Sequence, residues 1–300
     1  MSSTDGSFIS DFDVKTESRL AYIENEYMRL EVLVDALTQL TAEHDQTENI
    51  IDQVYTIALE LSTRRAHFQL MAETLHKKWL SEVDFPPVAA KICYRLSEVR
   101  CDEIPFRSII YKMVWNDFKD RHNVRKLSRI IFANCAHFTM EFFRLNYEES
   151  DESVFRSLID PLFCYLNELI DDDCEDVELN VFYTALLKNR MGPLFAKLNP
   201  MQMYQIMITV RRRIVVYDKS SQGRALLMEL LELHENNWDE SKIPFKIARQ
   251  YKQLREIPRP EPNSKYDHHY RRRSSSRTRT PRSSRPQQSK VFFDSSSDEA

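Results

Sequence analysis

The 300-residue sequence is 42% hydrophobic and carries a net charge of −4, so it can bury the core of one large domain or two smaller ones. Its three glycines are too few for the glycine-rich loop of a nucleotide-binding enzyme. No apolar run approaches the ~20 residues that span a bilayer, and the polar, acidic N-terminus lacks the apolar segment of a signal peptide, so we expect no membrane contact.

The N-terminal part predicts a disordered leader followed by a helix. Residues 1–15 are polar and acidic, a composition typical of disorder. Over residues 20–37 apolar side chains recur every three or four positions. This pattern predicts a helix that either lies on the domain or forms a short coiled coil.

The middle of the chain repeats the same helical pattern. Apolar residues at helical spacing occupy residues 50–61, 68–79, 88–96, 109–118, 127–145, 155–169 and 177–186. No stretch alternates apolar and polar residues for long, which predicts that no sheet forms. Successive helices joined by short turns predict an all-α fold, a right-handed HEAT-like solenoid of antiparallel helix pairs.

Residues 201–238 predict a helical hairpin that organises the end of the domain. Met203, Met207 and Val210 fall on one helix face, and a second apolar run before Trp238 forms the other helix. The block Arg211, Arg212 and Arg213 interrupts the first helix. It either binds phosphate or an acidic partner, or it is a solvated face in which an arginine pairs with nearby carboxylates.

The charge divides the chain into an acidic body and a basic tail. Residues 241–300 contain 15 Lys+Arg against 6 Asp+Glu, which leaves 27 against 40 in residues 1–240. We assign 16–240 to the helical domain, 241–257 to a packed extension, and 258–300 to a disordered, Arg/Ser-rich tail with an acidic end.

The tail predicts sequence-independent RNA binding, because each arginine that meets a phosphate releases a counterion. The candidate residues are Arg271, Arg272, Arg273, Arg277, Arg279, Arg282 and Arg285. Phosphorylation candidates, which would weaken that contact, are Ser274, Ser275, Ser276, Thr280, Ser295 and Ser296. The alternative is a tail that only solubilises or localises the protein. Phe292 and Phe293, beside acidic residues, resemble a docking peptide.

The sequence predicts no metal site, no cofactor and no catalytic residues. Its five cysteines form no C-x-x-C pair, and its histidines share no ligand spacing with them. The acidic stretch 171–176 lacks the glycine of a calcium loop, so we expect a solvated acidic turn. No nucleophile elbow or triad pattern is present.

Three stretches resemble the middle domain of eukaryotic translation initiation factor 4G and its relatives. They are IIDQVYTIALE (50–60), FRSIIYKMVWNDF (106–118) and LLMELLELHENNW (226–238), and the resemblance covers about residues 45–240. His234 departs from the family, which usually places arginine there. The chain is most similar to the small adaptors of this family, such as poly(A)-binding-protein-interacting protein 1 and the partner of the histone stem-loop-binding protein.

The resemblance implies a non-enzymatic adaptor in mRNA translation. Its expected partners are the initiation-factor DEAD-box helicase, other initiation factors, a poly(A)-binding or stem-loop-binding protein, and RNA. The alternative is a nuclear mRNA-processing or decay scaffold of the splicing, cap-binding or nonsense-mediated decay type. We expect a cytoplasmic protein, with an additional nuclear location left open.

Overall fold

The computed structural model of the chain describes residues 28–37, 47–61, 64–147, 156–188 and 190–255. In chain order its helices are α1 (28–37), α2 (Thr47–Leu61), α3 (Arg65–Ser81), α4 (Pro86–Arg95), α5 (Phe106–Leu127), α6 (Arg129–Tyr147), α7 (Ile159–Leu169), α8 (Asp176–Tyr183), α9 (Met191–Leu198), α10 (Pro200–Val216), α11 (Ser221–Glu235) and α12 (Phe245–Arg255). A 3₁₀ turn precedes α7 (Arg156–Leu158), a π-helical turn follows α8 (Thr184–Lys188), and another 3₁₀ turn precedes α12 (Glu240–Lys242). The all-α class and the helical solenoid are confirmed.

Helix starts are specified by local capping chemistry. The side chain of Asn199 accepts a hydrogen bond from the backbone N–H of Gln202 (3.1 Å), and Pro200 occupies the first position of α10, where its missing N–H costs nothing. Ser220 caps α11 in the same way, because its hydroxyl accepts from the N–H of Gly223 (2.9 Å). These caps fix the first residues of both helices of the closing hairpin.

Helix α6 lies at the centre of the core and packs against α3, α4, α5, α7 and α8. Its apolar and small side chains are buried over most of its circumference, as expected of a helix surrounded by others. Phe138 stacks on Trp79 of α3 with ring centroids 3.7 Å apart. The side-chain amide of Asn134 donates to the carbonyl of Leu80 (3.1 Å), which satisfies a free acceptor at the end of α3.

The single helix predicted over residues 127–145 is wrong at its first residue. Leu127 ends α5 and is 85% exposed, so it does not belong to the buried stripe of α6. Ser128 is extended, and its hydroxyl accepts a hydrogen bond from the N–H of Ile131 (3.3 Å). A serine that caps the next helix therefore separates two helices whose apolar periods run on across the break.

A short β-hairpin contradicts the prediction of no sheet. Arg100–Cys101 pairs antiparallel with Ile104–Pro105. Asp102 and Glu103 form the turn with φ of 49° and 65°, the left-handed conformation that a two-residue hairpin requires. Strands of two residues carry no readable alternation, which explains why the pattern did not predict them.

The ends of the helical body differ in what the structure describes. In α1, Leu33 and Leu37 are buried against the body, which favours a helix lying on the domain over a coiled coil. Tyr251 of α12 is also buried, and α12 packs on α11. The predicted leader (1–15) and tail (258–300) lie outside the described residues, so those boundaries stay predictions.

Candidate protein-interaction surface

The arginine block of α10 divides into two exposed residues and one buried residue. Arg211 donates to Glu235 of α11 (2.7 Å), and Arg212 donates to Asp172 (3.1 Å). Arg213 is only 5% exposed and donates to the backbone carbonyl of Asp172 (3.2 Å). Its guanidinium therefore stabilises the fold, and we correct the prediction by removing Arg213 from the binding candidates.

The acidic stretch 171–176 is largely solvated, as the sequence predicts, since Asp172, Asp173, Glu175 and Asp176 are exposed. Its first residue, Asp171, and the neighbouring Glu178 also form ion pairs that the sequence does not reveal. Arg125 of α5 donates to Asp171 and, at 2.6 Å, to Glu178, which is completely buried. Arg129 of α6 donates to Glu178 (2.9 Å) and to the carbonyl of Asp173 (3.0 Å). Burial lowers the pKa of Arg125, but hydrogen bonds from its guanidinium to both carboxylates outweigh this and raise it. Arginines more than forty residues away in the sequence thus fix the start of α8 and the turn before it to α5 and α6.

Tyr217 anchors the closing hairpin to the start of α8. Its hydroxyl donates to Asp176 (2.5 Å), and burial, together with that hydrogen bond, raises the pKa of the phenol. The hydroxyl of Ser220 donates to the same carboxylate (2.7 Å). Gly223 leaves room for the ring, because a Cβ there would stand 2.6 Å from Cε1 of Tyr217. This anchor holds the hairpin in a single position on the core.

With its inner side packed, α10 exposes a second apolar face. The outward side chains and their exposed fractions are Met201 (68%), Tyr204 (52%), Ile208 (41%) and Val215 (82%). At ~100° per residue these four fall within about 60° of one another. We call this set the α10 face. Exposed apolar side chains aligned on one helix are typical of a surface that another protein covers.

The two exposed arginines flank the α10 face. By the same helical geometry Arg211 lies on one side of the apolar stripe and Arg212 on the other. Their exposed fractions are 43% and 60%, so both guanidinium groups can reach a partner. Each already has a carboxylate neighbour that is itself exposed, which leaves the pairs weak and exchangeable. An apolar strip with cationic edges suits a partner that offers apolar side chains beside carboxylates.

Sequence reasoning missed the α10 face, although a signal was present. The periodicity of α10 predicts a buried stripe of Met203, Met207 and Val210, which the structure confirms as core. Tyr204 and Ile208 fall off that stripe and are still apolar. A helix that is apolar on two sides can pack on the core with one side and bind another molecule with the other.

The rest of the described chain offers few groups suited to catalysis or metal binding. Burial raises the pKa of the Cys93 thiol, and likewise that of Cys135, so neither is a ready nucleophile. Within residues 28–255, leaving aside the undescribed gaps, no cluster of three or more His, Cys, Asp or Glu could hold a metal ion. No helix in that same part is long and apolar enough to cross a bilayer. The tail candidates, which are the arginines of residues 271–285, Phe292, Phe293 and the phosphorylation sites, lie outside the described residues.

Comparison with known proteins finds relatives but no matching family model. Over 170 residues (56% of this chain) it is 27% identical to the CBP80/20-dependent translation initiation factor of Xenopus tropicalis, and the match spans 29% of that protein's length. Over 163 residues (53% of the chain) it is 26% identical to MIF4G domain-containing protein B of Danio rerio, covering 72% of it. Over 171 residues (56% of the chain) it is 25% identical to MIF4G domain-containing protein A of Danio rerio, and the match spans 78% of that protein's length.

The names of these three relatives point to the same family. Two of them take their names from the MIF4G domain, and the third is a translation initiation factor. The family resemblance predicted from the sequence is thereby confirmed. Over a little more than half of its length, this chain is similar to proteins of the MIF4G family, the family of the middle domain of initiation factor 4G.

Proposed function

We propose that this chain is a non-enzymatic adaptor in mRNA translation. The observation that carries the proposal is its similarity to a CBP80/20-dependent translation initiation factor and to two MIF4G domain-containing proteins. The helical body supports it, because its exposed face is suited to holding another macromolecule. On this proposal the body binds the initiation-factor DEAD-box helicase or another initiation factor.

The α10 face is the docking surface in this proposal. Tyr204 and Ile208 supply apolar contact area at its centre, and an aromatic anchor of this kind carries much of the energy of a protein interface. Arg211 and Arg212 steer an acidic partner and increase its association rate. Because the face lies on a helix held from behind by a packed core, it is rigid before the partner arrives.

The basic tail supplies the second contact. It would bind RNA, or an mRNA-bound protein such as poly(A)-binding or stem-loop-binding protein, while the body holds the initiation factor. Two weak contacts on one chain act together, since the first raises the effective concentration of the second partner. Such an adaptor needs neither a cofactor nor a reactive side chain.

Isothermal titration calorimetry of the full chain against a panel of initiation-factor helicases and other initiation factors, without RNA, tests the proposal. We expect at least one to bind, and Ile208→Glu to weaken that binding at least about tenfold, because a carboxylate would be buried in the interface. Val83→Glu is the matched control, since Val83 is 40% exposed against 41% for Ile208. No binding to any helicase or other initiation factor would reject the proposal, and equal effects of the two substitutions would reject the α10 face.

A nuclear mRNA-processing or decay scaffold is the second candidate. The observation that favours it is the tail composition, since residues 271–285 consist almost entirely of arginine, serine and threonine. Microscopy of the tagged full chain separates the candidates. A steady-state signal confined to the nucleus would favour the scaffold, and a cytoplasmic signal would favour the translation adaptor.

A further inference from the structure

We infer that the outward face of α5 binds single-stranded nucleic acid. The face consists of Lys112, Trp115, Lys119 and Lys126, and we call it the lysine face. It lies on a different helix from the α10 face and does not depend on the protein partner proposed above. It is also separate from the tail, where the sequence places its RNA-binding candidates.

The three lysines form a regular row along α5. Lys112, Lys119 and Lys126 are each seven residues apart. With a rise of ~1.5 Å and a turn of ~100° per residue, consecutive lysines stand about 10.5 Å apart and within about 40° of one line. All three side chains are exposed. Row and exposure together make a track of positive charge along one side of the helix.

These lysines differ from the arginines of the same helix in forming no ion pair with a described carboxylate. Arg107, Arg121 and Arg125 each form an ion pair, with Glu98, Glu168 and Asp171 respectively. Among the residues that the structure describes, no carboxylate lies within 4.0 Å of the ammonium groups of Lys112, Lys119 or Lys126. The arginines of α5 thus form ion pairs within the fold, while its outward lysines remain available to bind an anionic ligand.

Trp115 adds an aromatic surface within the lysine row. Its ring lies against Phe118, with centroids 5.7 Å apart and planes tilted by 39°, and the ammonium of Lys119 is 5.7 Å from its centroid. The side chain is only half-buried, so part of the indole faces solvent. Single-stranded nucleic acids bind where cations follow the backbone and an aromatic ring stacks on a base.

The charge around the lysine face makes it an exception in an acidic body. Residues 1–240 carry 27 Lys+Arg against 40 Asp+Glu. Beside the lysine row, Asn116 and Asn123 present neutral amides. The carboxylate of Asp120, at the edge of the lysine face, accepts a hydrogen bond from the side-chain amide of Asn123 (2.7 Å). A strip of cations, amides and one indole fits phosphates and bases better than it fits an acidic peptide, which would leave the indole unused.

Fluorescence anisotropy with the full chain and a labelled single-stranded RNA of about twelve uridines tests the inference. The variant is the triple substitution Lys112→Gln, Lys119→Gln and Lys126→Gln. The matched control is Lys77→Gln, Lys197→Gln and Lys246→Gln, which removes the same charge from three other exposed lysines. Any contribution of the tail is the same in both proteins, so the difference reports the lysine face alone.

We expect the lysine-face variant to bind RNA at least about tenfold more weakly at low salt, with the control close to wild type. The slope of log affinity against log salt should fall by about 2, because three phosphate contacts contribute ~0.7 each. Trp115→Leu should weaken binding about fivefold or more without changing that slope. Circular dichroism of each variant verifies that it is folded.

Two results would overturn the inference. One is an equal loss of RNA affinity in the lysine-face variant and the control, since the effect would then be net charge alone. The other is a polyglutamate peptide that displaces the RNA as well as an unlabelled oligonucleotide of equal charge does. Helicase binding by the lysine-face variant, measured in parallel, separates a failure here from a failure of the proposed function.

Discussion

The indole ring of Trp238 lies directly over Gly192, the second residue of α9. A Cβ built on Gly192 would stand 2.4 Å from Cζ3 of Trp238, well inside the contact distance of two carbons. Trp238 ends the hairpin motif, and Gly192 begins the helix before that hairpin. The ring therefore packs against α9 at a position where only glycine, which has no side chain, leaves room for it.

Gly192→Ala should destabilise the protein. Alanine is the better helix former by about 0.5–1 kcal/mol, but the overlap with a rigid ring should cost about 1–3 kcal/mol, so the clash decides the sign. Urea denaturation measures the change. In the background of Trp238→Ala the same substitution should become neutral or stabilising. Additive effects of the two substitutions would show that the ring and the glycine do not interact.

Asn237 should tolerate glycine but not alanine. Helix α11 ends in a Schellman motif, in which the N–H of Trp238 donates to the carbonyl of Leu233 (2.6 Å) and the N–H of Asn237 donates to that of His234 (3.1 Å). Asn237 has a φ of 55°, a conformation that costs other L-residues about 1 kcal/mol or more.

We therefore expect Asn237→Ala to lower the free energy of unfolding by about 1 kcal/mol and Asn237→Gly to leave it unchanged or raise it. The neighbouring Asn236 is the control, because its φ of −92° gives glycine no advantage. Thermal denaturation of the alanine and glycine variants at both positions tests this expectation. A glycine that destabilises equally at both positions would contradict the explanation.

Glu178→Gln should be among the most damaging single substitutions in the body. Its carboxylate is fully buried and accepts from Arg125 (2.6 Å), Arg129 (2.9 Å) and the N–H of Glu175 (2.8 Å). Neutralising it removes this counter-charge from Arg129 and leaves Arg125 with Asp171, at a cost of about 3–5 kcal/mol. Chemical denaturation measures this cost.

The exposed pair of Arg212 and Asp172 provides the contrast for that experiment. Their side chains are 60% and 71% exposed, so solvent screens the pair. Arg212→Gln should change the free energy of unfolding by less than about 1 kcal/mol. If the two substitutions cost the same, burial of the Glu178 carboxylate does not strengthen its ion pairs as the geometry indicates.

His234 should make the stability of the protein depend on mildly acidic pH. Burial lowers its pKa below the ordinary value of 6.5, the charge of Arg211 lowers it further, and Glu235 opposes the shift. The unfolded chain then binds a proton at a higher pH than the folded chain does. Stability is fully present above pH 6.5 and falls as the pH drops from there through the folded pKa.

Replacing His234 with glutamine should remove that part of the pH dependence. Urea denaturation of both proteins at a series of pH values gives the difference in unfolding free energy. We expect the difference to be constant above neutrality and to change in favour of the glutamine variant as the pH falls below 6.5. Parallel curves throughout would show that His234 does not titrate differently in the folded state.

Much of the fold could be read from local patterns, and the exceptions have clear causes. The closing hairpin was predictable because the apolar spacing of α10 and α11 is a property of neighbouring residues. The break at Ser128 was not, since apolar residues continue on both sides of it. The role of the acidic turn was also hidden, because Arg125 and Arg129 reach Glu178 from about fifty positions away.

The candidate surfaces divide in the same way. The sequence showed that Arg211, Arg212 and Arg213 stand together, and that consecutive residues on a helix cannot all face one partner. Only the packing of α10 decided that Arg213 is the buried one and that Ile208 is left outside.

The sequence by itself determined the all-helical class, the family resemblance and the separation of an acidic body from a basic tail. These follow from composition and short-range periodicity, which need no knowledge of distant neighbours. Tertiary structure alone decided which cations are consumed in buried pairs and which remain exposed, as the contrast between Arg125 and Lys126 shows. The physical reason is that a charge is neutralised by whatever the fold brings beside it, and that neighbour is set by packing rather than by position in the chain.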